Sequence, residues 1–327
     1  MEAPDIAAVE QRSLVRWFPS VLLDLPPAEP VSAVRTPHRV VLQALPTTKD
    51  GLASLLRAQP FELTLEIEDD AAPLRHVPVH EVHEARLTPD LPLDWSHYYW
   101  IGDGLLEDLA SVPNDPAAGF MRGRLRLQVV EDLFRRAHRG PHVDLDALDS
   151  AWAVPLAPPA PDIERHGEPL QALQQFVRGL TGHLVEHASS RQFVDEARAL
   201  LQWAEHRNEI GLPALGSVEQ KLLSTYAQHR LIGSPWLTAP AGMIAGWHLL
   251  LSAHVLAVWY AGLLVQSKRV PRLRDALLTS MWMLDQGFWS DEPLLHDVLR
   301  NLNASQYTSA ELAAGLTTAL RGAPVGA

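Results

Sequence analysis

The apolar positions change period along this chain. In the first half they come in short alternating runs: Phe61-Glu-Leu-Thr-Leu-Glu-Ile-Glu68 puts Phe61, Leu63, Leu65 and Ile67 on one side, the mark of a half-buried strand. His38 to Leu45 is a second β-rich run, and Val77 to Leu87 a third that Pro78 interrupts. Short helices are expected over Ile6 to Phe18 and Asp50 to Ala58. From Phe120 to His138 the period lengthens, with Leu125, Val129, Leu133 and Ala137 at four-residue steps until Gly140 stops the run, which predicts a helix.

Val154-Pro-Leu-Ala-Pro-Pro-Ala-Pro-Asp162 holds four prolines in nine residues and can continue neither a helix nor a central strand. Beyond it the helix signals are dense. Pro169 to Ala188 carries Leu170, Leu173, Val177, Leu180 and Leu184 on one stripe, and Ser190 is placed to cap Phe193 to His206. Ser217 with Gln220 forms a capping-box pattern before Leu222 to Leu231. Pro271 opens a helix over Leu273 to Gln286 that Gly287 closes, Ser290 precedes Asp291 to Leu302, and Ser309 precedes Leu312 to Arg321. With the apolar stretch described next, that makes seven helices and no strand. The expected fold class is therefore α+β: a small N-terminal α+β domain (1–153), a Pro-rich linker (154–162), an all-α helical array of about seven helices (163–322) and a short tail (323–327).

Trp236 to Gln266 contains no charged residue and is followed by Lys268, Arg269, Arg272 and Arg274. Its length would span a bilayer, and flanking basic residues with Trp259 and Tyr260 near one end suit a membrane helix. His248, Ser252 and His254 within it, the break at Pro240, Gly242 and Gly246, and amphipathic helices on both sides favour the buried centre of a helical array. Membrane association through 236–266 stays open as an alternative.

Charge and cysteine content narrow the function. Of the 327 residues, 1–160 carry 14 Lys/Arg against 24 Asp/Glu, a net of -10 out of -12, so the acidity sits in the first half and opposes binding to phosphate backbones. There is no Cys, which excludes disulfides, thiolate metal sites and cysteine nucleophiles. The acidic N-terminus lacks the pattern of a signal peptide, and the cytoplasm is the expected compartment.

The sharpest chemical motif is His183-Leu-Val-Glu186-His187. On a helix its two imidazoles lie on one face a turn apart, so His183 and His187 could hold zinc while Glu186 activates a metal-bound water. The surrounding Gly-Leu-Thr-Gly-His-Leu-Val-Glu-His resembles pitrilysin-type metallopeptidases over about a dozen residues. That family ligates its metal with a further glutamate downstream, whereas no Asp or Glu occurs from 220 to 274 here. The same residues also read as histidines bordering the Leu173, Leu180 and Leu184 stripe.

A second histidine cluster, His76, His80 and His83, puts the first two on one face of a strand and the third on the other, so it reads as a polar edge strand. Arg122, Arg124, Arg126, Arg135, Arg136 and Arg139 make a basic stripe without interleaved aromatics, which reads as a solvated helix face whose arginines pair with the acids of Glu66 to Asp70 or of a partner, not as a nucleic-acid surface. No phosphate-binding glycine loop or G-x-S-x-G elbow occurs. Asp94-Trp-Ser-His-Tyr-Tyr-Trp100 concentrates Trp95, Tyr98, Tyr99 and Trp100, which reads either as a contact surface or as an aromatic plug beneath the sheet.

From Gln220 to Leu302 the order of features, Lys221–Arg230, Ser234-Pro235, Met243–Val265, Lys268–Arg274 and Leu277–Leu302, resembles the C-terminal helical region of flagellin lysine-N-methylases. The resemblance implies a shared helical scaffold; the cysteine cluster of that family has no counterpart in a chain without Cys. The leading expectation is a non-catalytic protein-interaction or assembly protein without a cofactor, binding a protein partner and not nucleic acid. The alternative is a zinc-dependent hydrolase at His183, Glu186 and His187.

Overall fold

The computed structural model describes residues 31–35, 39–44, 48–57, 64–66, 79–137, 143–153, 167–206, 212–232 and 241–304. Helices dominate them, in an α+β layout. The expected helices at Ile6 to Phe18 and Leu312 to Arg321, the Pro-rich stretch 154–162, His76 and residues 236–240 lie outside the described residues.

Four short strands form one sheet in the order β3-β2-β1-β4: β1 (Val31–Arg35), β2 (Arg39–Ala44), β3 (Thr64–Glu66) and β4 (Val79–Glu81). β1 pairs antiparallel with β2 and parallel with β4, which occupies an edge. The expected single strand over Val77 to Leu87 is instead divided. After β4 the chain turns into β5 (Ala85–Thr88), which pairs with β6 (Leu91–Leu93) as a separate antiparallel ribbon.

The helices are α1 (Lys49–Leu55), α2 (Trp95–Ala110), α3 (Pro116–Arg136), α4 (Leu145–Trp152), α5 (Gly167–His187), α6 (Arg191–Glu205), α7 (Ser217–Ile232), α8 (Gly242–Gln266), α9 (Leu273–Leu284) and α10 (Glu292–Ala304). Two of them, α2 and α4, fall where the alternation suggested strand and loop. Aromatic residues and two glycines give α2 a weak helical propensity, and its N-cap Asp94 makes no side-chain cap. Packing of Ile101, Leu105 and Leu109 into the core stabilises it instead.

α8 is the axis of the fold. It meets α3, α5, α6, α7, α9, α10 and β5, and of residues 242–264 all but Ile244 are buried. No polar face is needed where neighbours close on every side, which explains its uniform apolarity. It is long and apolar enough to cross a membrane, yet 94% of its most apolar window is buried inside the fold. Gly242 begins it at φ +84°, and a Cβ there would meet the Leu87 carbonyl oxygen at 2.7 Å, so both backbone and space require glycine. Helices from both sides of the Pro-rich stretch share one apolar core: Trp247 of α8 packs on Phe120 of α3 and donates Nε1 to its carbonyl at 3.3 Å.

Several boundaries differ from expectation. α3 starts at Pro116, capped by Asp115, whose carboxylate accepts from Ala118 N at 3.1 Å. Ser190 caps α6 as expected, through Phe193 N. Ser217 makes no capping box; Gln220 turns back to the Leu215 carbonyl. Gly287 does not end α9, because the chain runs on through a π-helical turn, Asp285–Trp289, in which Gly287 lies against the Phe193 ring. Asp291, not Ser290, starts α10: one carboxylate oxygen accepts from Leu294 N at 3.1 Å and the other from Ser189 N at 2.8 Å.

Candidate functional site

The aromatic run sits on the first two turns of α2. Trp95, Tyr98, Tyr99 and Trp100 are all half-buried, and Trp95, Tyr98 and Trp100 lean on the core. The aromatics thus pack partly on the core from a helix and not from beneath a sheet. Trp95 contacts Tyr98 edge-on at 5.3 Å between centroids and Tyr99 at 5.8 Å, and the two tyrosines meet edge-on at 5.6 Å. Such edge-to-face packing stiffens a cluster beyond what area burial supplies. Trp100 donates Nε1 to Asp149 of α4 at 2.9 Å and packs edge-on against Trp152 at 4.9 Å. The Arg126 guanidinium lies 4.6 Å from the Trp152 ring centroid and 3.1 Å from Asp108.

Helical geometry places Tyr99, Asp103 and Glu107 in one outward stripe, with Trp95 and Trp100 flanking it. His97, Ile101, Leu105, Asp108 and Leu109 face inward. Asp103 and Glu107 are exposed. Burial pushes the Asp108 carboxyl up to about 6, against the pull of Arg126 and Arg122.

His183 and His187 do lie on one face of α5, their rings 4.5 Å apart. An acid reaches them from far along the chain: Asp297 Oδ2 of α10 is 2.8 Å from His183 Nε2. The same carboxylate also accepts from Arg300 at 3.1 Å. Glu186 projects outward, 76% exposed and 3.9 Å from His187. Among the described residues no three His, Asp or Glu side chains converge as a metal ion would require. His80 lies in β4 and His83 is exposed beyond its end. Within the arginine stripe, Arg135 meets Glu131 at 2.8 Å and Asp90 at 3.0 Å and Arg126 meets Asp108, in place of the expected acids Glu66 to Asp70.

Sequence reasoning missed a polar centre inside the helical array. Arg230 of α7 and Asp285 of the π turn are joined at 2.6 Å with almost no exposure, Tyr226 donates its hydroxyl to the other Asp285 oxygen at 2.7 Å, and Trp289 donates to Tyr226 at 2.9 Å. Burial pushes Asp285 up to about 6 and Tyr226 well above the ordinary phenol range. For Arg230 burial acts downward, but Asp285 and Tyr226 hold it above its usual value. The one available signal was the isolation of Arg230 and Asp285 in apolar surroundings. Joined through Arg230, Asp285, Tyr226 and Trp289, this buried group ties α7 to the α9–α10 corner.

No family model matches the chain, and no curated protein or solved structure is detectably similar to it.

Proposed function

We propose that the chain is a non-catalytic interaction or assembly protein that binds a protein partner through the outward side of α2. The observation that carries this reading is the cluster of Trp95, Tyr98, Tyr99 and Trp100, half-exposed and mutually braced on a helix whose opposite face is locked into the core. Rigid aromatics lose little freedom on docking and supply large contact area, which is why such residues dominate binding energies at interfaces. The helical array behind α2 serves as the scaffold, in keeping with the order of helices α7 to α10 and its likeness to the helical region of flagellin lysine-N-methylases.

The test is site-specific photo-crosslinking in the native cells, with benzoylphenylalanine replacing Tyr99 in one version of the chain and Val218, exposed on α7, in another. The expected result is a discrete adduct from position 99 alone, identified by mass spectrometry. Binding of that protein, once purified, should weaken about tenfold in Tyr99→Ala. Adducts equal from both positions, or none from 99, would refute the reading.

A further inference from the structure

We draw no further inference here: the strongest candidate, the exposed basic loop that carries Lys268, Arg269, Arg272 and Arg274 into α9, joins surface cations to a single helix N-terminus, and nothing among the described residues points to a ligand there.

Discussion

Removing the Asp285 carboxylate should be among the most damaging single changes to this fold. In Asp285→Ala the Arg230 guanidinium, 3% exposed, keeps its charge in a buried site, and the Tyr226 hydroxyl loses its nearer acceptor. Breaking a buried pair in this way costs about 3–5 kcal/mol, because the surviving charge is left uncompensated. At about 2 cal/mol/K per residue of unfolding entropy, a 327-residue chain loses about 4–7 °C of melting temperature for that free energy. The pair itself is worth less than its breakage, since bringing both ions out of water offsets most of their attraction. Arg230→Met/Asp285→Leu should therefore lie within about 1–2 kcal/mol of the parent, giving a coupling of at least about 2 kcal/mol in the double-mutant cycle. Urea unfolding at neutral pH followed by tryptophan fluorescence measures Asp285→Ala, the double variant and the two single variants that close its cycle, Arg230→Met and Asp285→Leu. A loss below about 1 kcal/mol in Asp285→Ala, or a double variant as poor as the single ones added together, would refute the account of a tightly coupled buried pair.

Stability should be nearly flat between pH 4 and 6, because opposing groups titrate there. Asp285 and Asp108, raised to about 6, add stability below the unfolded carboxyl value that is lost as pH rises through 6; His248 and His254, lowered to about 4 chiefly by burial, add stability above 6.5 that is lost as pH falls through 4. Asp285→Asn should unbalance this and make stability climb with pH over that range, whereas a slope unchanged from the parent in calorimetry would contradict it. Gly287→Ala should cost about 1–3 kcal/mol, since the new Cβ collides with Phe193 Cγ, and Phe193→Ala, which removes that atom, should combine with it at less than the sum of the two single losses; additive losses would place the strain elsewhere. His187→Ala should leave the zinc content of the purified chain unchanged, and stoichiometric zinc that vanishes in this variant would revive metal-assisted hydrolysis at His183 and Glu186.

The parts of the fold readable in advance were those where local chemistry and tertiary packing agree. α6 was marked by Ser190 and α8 by its unbroken apolarity, and both depend on signals that survive without knowledge of neighbours. α2 was not readable, because its local signals oppose its structure: tryptophan and tyrosine favour strands, Gly102 and Gly104 weaken a helix, and only the docking of Ile101, Leu105 and Leu109 settles the matter. The π turn was hidden for a related reason. Gly287 looked like a helix stop, but its missing side chain serves to admit Phe193 from α6, a contact fixed by a residue nearly a hundred positions away.

The same distinction separates the two sets of candidate site residues. His183, Glu186 and His187 stood out through their order in the chain, and a helix does bring the histidines together, yet order says nothing about what faces them. What faces His183 is Asp297, which also meets Arg300, and among the described residues no group of three His, Asp or Glu side chains is placed to hold a metal ion. The aromatic run stood out only as composition, with no motif behind it. Its proposed role as a contact surface depends on its being mounted on α2, where the inward face is committed to the core and Tyr99 lies against Trp95 on the outward one. A surface of that kind is defined by which residues a helix turns outward, and therefore becomes visible only once the helix itself has been recognised.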